Sequence, residues 1–392
     1  MHLKLLLSLF TLLFGVNLST TELTNKHLAI APDNDLRVLE LSGTPFQRGL
    51  AHGTMLREDI KAVIKLFKED IRTTTKEDPD AFIAMFLEKT DYKTAIQKHT
   101  PELWEELKGI SKGSGIDMNT LFMHQLGDEY WFNAQDLAAH HCSSFAMDKT
   151  ASQPSRTAQN MDIPQFYHGF QTLLKIKDKE SDKEMMVLSI PGHLGITGMN
   201  NKQVSINCNT LMQLDYGTSG LPVTFIVRGV LAKGTQKEAL DFLQSIPHAS
   251  GQNYMIGGPD KVYSMECSAK KVVEFRPFEK APFTYHTNHP MANDDYNVNY
   301  LGQLEVAQKT PEEGLRQCQR ISSFEKRFTE NTNDISISDI KEILSSRDHD
   351  GKDVVSNDWT YASVIYELSN KPVLYIAPGK PHETEYQIHQ FK

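Results

Sequence analysis

Two short stretches of this chain contain the residue types that nucleophilic catalysis needs. Cys142 follows two histidines and opens a short run, Cys-Ser-Ser-Phe-Ala-Met, and Asp162 ends the stretch Gln-Asn-Met-Asp twenty positions later. Such a cysteine can be a nucleophile or a buried thiol, and the local sequence alone favours the buried thiol, because cysteine is among the most buried residue types. Asp162 can act in catalysis or simply cap a turn.

Two further clusters suggest a metal site, and neither has the spacing that such a site requires. His286 and His289 form a pair in His-Thr-Asn-His, but no third ligand follows at a suitable spacing. The stretch from Asp348 to Asp353 is similar to a calcium loop, yet its twelfth position, where Glu is required, is Trp359. We therefore predict no metal and no other cofactor.

The composition is that of an ordinary globular protein. The chain has 392 residues, of which 39% are hydrophobic and 23% charged, and its net charge is −9. Lysine and arginine are dispersed, which argues against nucleic acid as a partner. The four cysteines, at positions 142, 208, 267 and 318, are too few and too widely spaced for a disulfide scaffold. If Cys142 is a nucleophile, at most one disulfide remains.

Residues 1–20 have the pattern of a secretory signal. Lys4 precedes an apolar run from Leu5 to Phe14 that is too short to span a bilayer, and small and polar residues follow it. No A-x-A-like cleavage triplet is present, so an uncleaved membrane anchor is the alternative. We predict a secreted or periplasmic protein, or one of a lysosome-like compartment in a eukaryote, with no membrane span after removal of the signal.

The remaining chain has a helical first part and a sheet-rich second part. Residues 35–41 alternate as a strand does, and apolar residues then recur at helical spacing in 60–71, 79–89, 92–110 and 118–132, with breaks at Pro101, Gly113 and Gly115. Strand patterns follow at 170–177, 183–190, 203–209, 253–257, 261–267 and 271–275, with a hairpin pattern at 360–377. Helical patterns interrupt them at 224–243, 315–328 and 336–346. This order predicts an α+β fold.

A series of motifs resembles one known family. The motifs are Gly43-Thr-Pro-Phe-Gln-Arg-Gly49, Cys142-Ser-Ser-Phe-Ala146, Gln159-Asn-Met-Asp162, the stretch Pro191–Asn200 and Ala249-Ser-Gly-Gln-Asn-Tyr254. In this order they resemble the penicillin acyltransferase-like branch of the N-terminal-nucleophile (Ntn) hydrolases, that is, peptidase family C45 or the acyl-coenzyme A:6-aminopenicillanic acid acyltransferase family. The resemblance implies a four-layer αββα sandwich, made as an inactive precursor that cuts its own chain before Cys142. Residues 21–141 would then be a helical small subunit, and residues 142–392 the catalytic part.

The resemblance also implies roles for the site residues. Cys142, exposed as a new N-terminal residue, carries both a thiol with a pKa near about 8.5 and an α-amino group with a pKa near about 8, which is suited to act as its base. Asp162 matches the carboxylate that orients this amino group. Arg320 matches the arginine near the site, where its fork can hold a carboxylate such as Asp162, with Arg316 and Arg327 as alternatives.

The predicted function is that of a secreted, self-processing cysteine hydrolase, which cleaves a linear amide through a thioester. Asn253 matches the family's oxyanion donor and Asn209 is the second choice. Three alternatives remain: an acyltransferase that passes the acyl group to an amine, a non-enzymatic secreted binding protein, and an ordinary cysteine peptidase with His286 or His289 as base. The expected partner is a small-molecule amide or acyl substrate. The two fragments should stay associated, because the apolar helix faces need a partner.

Overall fold

The first part of the chain consists of one strand and a set of helices that begin at recognisable caps. The computed structural model describes residues 35–134, 142–178, 181–311, 313, 318–330, 332 and 334–392, so the predicted signal and residue 141 lie outside it. The elements before Cys142 are β1 (Arg37–Gly43), α1 (Pro45–Met55), α2 (Arg57–Thr75), α3 (Pro79–Lys89), α4 (Tyr92–His99), α5 (Pro101–Ser114), α6 (Met118–His124) and α7 (Gly127–Ala134). Thr44 and Gln47 form a capping box at the start of α1. Pro101 starts α5 and divides the predicted helix 92–110 in two, because proline fits the first helical turn but lacks the N–H that a helix interior needs.

Helices α1 and α5 cross at a very short distance, and a buried charge cluster joins them to the rest of the fold. A Cβ atom on Gly49 would lie 1.9 Å from the backbone oxygen of Glu106, so no side chain fits there. The Glu106 carboxylate lies between the guanidinium groups of Arg48, at 3.1 Å, and Arg228, at 2.9 Å. The glycine and arginine of the first family motif therefore hold this crossing together.

The strands after Cys142 form two sheets, and β1 joins the larger one. They are β2 (Ser143–Met147), β3 (Arg156–Asp162), β4 (Thr172–Asp178), β5 (Glu184–Ser189), β6 (Thr197–Asn200), β7 (Ser205–Thr210), β8 (Gln252–Gly257), β9 (Val262–Cys267), β10 (Val272–Phe275), β11 (Phe283–His286), β12 (Thr360–Glu367), β13 (Val373–Ala377) and β14 (Gln387–Gln390). The larger sheet has the order β1-β4-β5-β6-β7-β8-β9-β10, and the smaller one β11-β2-β3-β12-β13-β14. β1 runs parallel to β4, and the other neighbouring strands run antiparallel.

The two sheets face each other and helices cover their outer sides. The later helices are α8 (Val223–Leu231), α9 (Gln236–Ser245), α10 (Val298–Ala307), α11 (Gln319–Arg327) and α12 (Ile337–Leu344). Every residue of β2, β3, β7 and β8 is buried, so these strands are covered on both faces. β2 and β3 contact β7 and β8, α8 packs on β6 and β7, α9 on β8, and α12 on β3. The predicted α+β fold and four-layer αββα sandwich are therefore confirmed.

Most of the predicted elements are present, and several further elements were not predicted. β6, β11 and β14 have four residues each, and so few residues show little alternation. β2, β3 and α10 were not predicted either; β2 and β3 are buried along their whole length, so their residues do not alternate between apolar and polar. The helix predicted at 315–328 is seen as α11, which begins at Gln319, and residues 314–317 lie outside the described part. Among the described residues no helix has both the length and the apolar character needed to cross a bilayer.

Candidate active site

Cys142 and Asp162 meet because two neighbouring strands begin and end beside them. Cys142 directly precedes β2, which pairs with β3 so that Ser143 lies opposite Asn160, and Asp162 is the last residue of β3. The backbone N–H of Asp162 donates to Sγ of Cys142 at 3.4 Å. Twenty residues of sequence separation thus become a direct contact, at a position where Cys142 is only 5% exposed.

In the uncut chain the environment of Cys142 keeps its thiol protonated. Burial raises the pKa of the Cys142 thiol far above its ordinary value, and the negative charge of Asp162 raises it further. The thiolate is the nucleophilic form of cysteine, so this thiol is a poor nucleophile near neutral pH. A base that arrives next to the sulfur would change this.

Asp162 has one occupied and one open carboxylate oxygen. Its Oδ2 accepts a hydrogen bond from Nδ2 of Asn357 at 2.5 Å, whereas Oδ1 is buried without a hydrogen-bond partner among the described residues. Burial raises the pKa of Asp162 to about 7, although the hydrogen bond from Asn357 and the positive charge of Arg320 act in the opposite direction. Near neutral pH both protonation states are therefore populated, and Oδ1 can receive a further donor.

Arg320 holds the backbone of Cys142. Its Nη1 donates to the carbonyl oxygen of Cys142 at 2.5 Å and to Oγ of Ser143 at 3.2 Å, and its Nε donates to Oδ1 of Asp353 at 2.6 Å. The carboxylate in its fork is therefore Asp353, where the sequence suggested Asp162. The charges of Arg320 and Asp162 nevertheless act on each other, since each shifts the pKa of the other.

Of the alternative arginines, only one lies in the described chain, and it belongs to another ion pair. Arg327 binds the carboxylate of Asp348 at 2.6 Å in a partly exposed position, and Arg316 lies outside the described residues.

Arg320 also contacts Oδ1 of Asn288 at 3.4 Å, and Nδ2 of Asn288 donates to the backbone oxygen of Thr210 at 3.0 Å. The arginine is thereby linked to the end of β7.

The two predicted oxyanion donors face each other on the larger sheet. Asn209 of β7 pairs with Asn253 of β8, and Nδ2 of Asn253 donates to Oδ1 of Asn209 at 3.3 Å. Oδ1 of Asn209 also accepts from Oγ of Ser144, at 2.7 Å, which connects it to the strand after Cys142. Nδ2 of Asn209 is buried and has no partner among the described residues. Nδ2 of Asn209 therefore donates to no described residue, whereas one N–H of Asn253 Nδ2 is already used.

Helix α7 supplies part of the wall beside Cys142. A cavity of about 40 Å³ has on its wall Cys142, Asp162, His193, Thr210 and, from α7, Asp128 and Trp131. Oδ1 of Asp128 accepts hydrogen bonds from Oγ1 of Thr210 at 2.5 Å and from Nε2 of Gln252 at 3.1 Å. The segment before the predicted cut thus contributes residues to the site itself.

Several residues around the site were not singled out from the sequence. Asn288, Asp353 and Asn357 lie in irregular segments between helices and strands, where no periodic pattern marks them. The stretch containing Asp353 was interpreted only as a loop. For α7 a signal existed, because Asp128 and Glu129 are adjacent acids in a largely apolar helix.

The structure also bears on three other possibilities: a histidine base for Cys142, a metal site and a disulfide bond. His286 is fully buried, with Nε2 2.7 Å from Oε1 of Glu266 and Nδ1 2.8 Å from the backbone oxygen of Thr287, so neither ring nitrogen is available to Cys142. His289 hydrogen-bonds to the side chain of Cys318 instead. The described residues contain no group of three or more His, Cys, Asp or Glu side chains that could hold a metal ion. All four cysteines are free thiols.

A buried cysteine and its polar partners between the two central sheets of an αββα sandwich define the class of the Ntn hydrolases. Residues 152–381 match the family model described as acyl-coenzyme A:6-aminopenicillanic acid acyl-transferase. The chain belongs to this family, as its motifs predicted. The family is named for an acyltransferase, and one known relative of this chain has the same name.

Several known proteins are similar to this chain at low identity. Protein dcd1A of Dictyostelium discoideum is 32% identical over 105 residues, which are 23% of this chain and 24% of that protein, so the match spans about a quarter of it. The acyl-coenzyme A:6-aminopenicillanic-acid-acyltransferase 40 kDa form of Emericella nidulans is 21% identical over 264 residues, 67% of this chain and 71% of that one. The solved structure of the Caenorhabditis elegans ortholog of N-acylethanolamine-hydrolyzing acid amidase has 16% identity and a TM-score of 0.42, over 64% of this chain and all of that one.

Proposed function

We propose that this protein cuts its own chain before Cys142 and then hydrolyses a linear amide through a thioester on that cysteine. The observation that carries the proposal is the contact of Cys142 Sγ with the Asp162 backbone, beside a carboxylate oxygen that lacks a donor. Arg320 on the carbonyl group of Cys142 supports it, because this contact holds the new N-terminal residue in place after the cut.

The cut would supply the base that the intact site lacks. In the first step Sγ of Cys142 attacks the carbonyl carbon of the preceding residue, the peptide bond to the Cys142 nitrogen breaks, and that nitrogen takes up the thiol proton. The products of this step are a thioester and a free amino group. Water then hydrolyses the thioester, which releases the preceding residue as a carboxylate and restores the thiol. The α-amino group that remains lies on the same residue as the sulfur and has an ordinary pKa near about 8, so it can accept the thiol proton. Oδ1 of Asp162 is the acceptor that would orient this amino group.

In the amide reaction the thiolate attacks the substrate carbonyl, and negative charge develops on its oxygen. Preorganised donors at this position stabilise the transition state by about 3 to 4 kcal/mol each. Nδ2 of Asn209 is buried without a partner and is the donor that we assign to this task, with Asn253 holding it in position. The amine leaves with a proton from the α-amino group, and water hydrolyses the thioester.

Water is the proposed acceptor of the acyl group, and an exported location is part of the same proposal. An enzyme in dilute solution outside the cytoplasm meets water at a far higher concentration than any amine. The family is named for acyl transfer, so an amine acceptor is the second candidate. Incubation with substrate and added hydroxylamine distinguishes the two, because a transferase forms the hydroxamate as its main product and a hydrolase forms the free acid.

The mass of the purified protein, measured under denaturing conditions, tests the central proposal. Wild type should give two fragments, the larger beginning at Cys142, and Cys142→Ala a single uncut chain. Under native conditions the wild-type fragments should co-elute, since α7 contributes wall residues beside Cys142. A folded wild-type chain that stays uncut and turns over no amide would contradict the proposal.

A further inference from the structure

Asp128 is a second carboxyl group beside Cys142, and the reaction proposed above has no use for it. It lies on α7, before the cut, and shares the cavity wall with Cys142. Its Oδ1 is occupied by Thr210 and Gln252, at 2.5 and 3.1 Å. Among the described residues no other side chain donates a hydrogen bond to its Oδ2.

The structure holds this carboxyl group in a defined orientation. Thr210 and Gln252 are opposite each other on β7 and β8, one position beyond the pair formed by Asn209 and Asn253. Hydrogen bonds from two central strands of the larger sheet therefore fix the position of Oδ1 of Asp128. They also fix the direction in which Oδ2 points. A group held in this way is suited to recognition, because little rotamer freedom is lost when a ligand binds.

The charge of Asp128 is not balanced within the described part of the chain. No lysine, arginine or histidine there forms an ion pair with it, and the next residue, Glu129, is also acidic. Burial raises the pKa of Asp128, and burial together with the negative charge of Asp128 raises the pKa of Glu129 to about 8. Asp128 is partly buried, and a cation that reached Oδ2 would gain a charge-assisted hydrogen bond there.

The same cavity wall includes Asp162, which is 1% exposed and has an Oδ1 without a partner in the described chain. This oxygen is the one that serves the new amino group of Cys142, since the Asp162 backbone already contacts the sulfur. Oδ2 of Asp128 is then the carboxylate oxygen left for the substrate.

We propose that Asp128 determines specificity by binding an ammonium group of the substrate, so that the enzyme prefers linear amides with a protonated amine close to the scissile bond. This inference rests on the proposed function. The amine must be close because Asp128 and Cys142 border one cavity of about 40 Å³. It can belong to either half of the amide.

Two matched pairs of amides test the inference and identify the half that carries the charge. In the first pair, N-hexyl-4-aminobutanamide is compared with N-hexylpentanamide, and in the second, N-(3-aminopropyl)hexanamide with N-butylhexanamide. Within each pair a methyl group replaces the ammonium. Processed wild type should have a kcat/KM at least about tenfold higher for the ammonium member of one pair, as expected for a charge-assisted hydrogen bond.

Asp128→Asn is the variant of choice because an amide oxygen can still accept from Thr210 and Gln252. It should reduce the ammonium preference to about onefold, whereas Glu105→Gln, which neutralises an exposed acid on α5, should keep it. Inhibition of wild type provides a test without any variant: butylammonium should have an inhibition constant at least about tenfold lower than 1-butanol.

The outcomes separate the two proposals. A processed, active enzyme with equal kcat/KM within both pairs, or an Asp128→Asn enzyme that keeps the preference, would overturn this inference alone. A wild-type chain that remains uncut and turns over none of the four amides would overturn the proposed function and this inference with it.

Discussion

Replacing Asp162 by Asn should stabilise the uncut protein, and more so at high pH than at low pH. Burial raises the pKa of Asp162 to about 7, whereas an aspartate in an unfolded chain has a pKa near about 3.9. The native state thus holds this proton more tightly than the unfolded state. The stability that the proton provides is complete below about pH 4 and is lost as the pH rises through about 7.

The size of the effect follows from the difference between the two pKa values. A shift of about three units, at about 1.36 kcal/mol per unit, corresponds to about 4 kcal/mol at pH 8. Asp162 is 1% exposed, so solvent screening reduces this value little. Asparagine cannot ionise and avoids the loss. The free energy of unfolding of the Asp162→Asn protein should therefore exceed that of the parent by about 4 kcal/mol more at pH 8 than at pH 4.

The assay is chemical denaturation followed by circular dichroism at pH 4, 6 and 8. Both proteins carry Cys142→Ala, which removes the nucleophile of the proposed cut, and groups that titrate equally in both cancel in the difference. Asp260→Asn is the matched control, because Asp260 is an exposed partner of Lys149 and its replacement relieves no burial of a carboxylate. If the difference between the two proteins is the same at all three pH values, the burial argument for Asp162 is wrong.

Three further predictions concern other parts of the site and fold. Arg320→Lys should slow both cutting and turnover by about tenfold or more, because one ammonium cannot make all the contacts of the guanidinium fork. Arg327→Lys is the control, and equal rates in the two variants would contradict the role given to Arg320. Asn209→Ala should lower kcat about a hundredfold with little change in KM, and an unchanged kcat would assign the oxyanion to other donors. Gly49→Ala should destabilise the protein by about 2 kcal/mol or more, because its Cβ would overlap the α5 backbone. Gly302→Ala, with no atom within 4 Å of the added Cβ, should leave the melting temperature equal or higher, and similar melting temperatures for the two glycine variants would refute the crossing argument.

Local patterns predicted most of the fold, and their errors have simple causes. The alternation at 35–41 and 360–377 and the helical spacing at 60–71 and 79–89 correspond to elements of the structure. The helical pattern at 92–110 is divided at Pro101, where the sequence indicated a break. Four-residue strands such as β6 owe their conformation to their neighbours in the sheet, so periodicity had little to detect.

The sequence predicted which residues form the candidate site better than it predicted the contacts between them. Cys142, Asp162 and Arg320 could be chosen because motif order points to them, and the structure brings all three together. The partner of Arg320 could not be chosen, since Asp353 lies in an irregular segment 33 residues away. Asn357 lies 195 residues from the carboxylate that it holds.

The sequence by itself determined the fold class, the family and the identity of the candidate nucleophile, because periodicity and motif order are properties of the chain that survive without coordinates. Only the tertiary structure decided which oxygen of each carboxylate is open, that Nδ2 of Asn209 has no partner among the described residues, and that Asp128 of the helical segment lies on the wall beside Cys142. The pKa values of Cys142 and Asp162 belong to the same category. These pKa values depend on burial and on charges contributed by distant parts of the chain. The burial and the contacts with those charges form only when the two sheets and α7 have packed together.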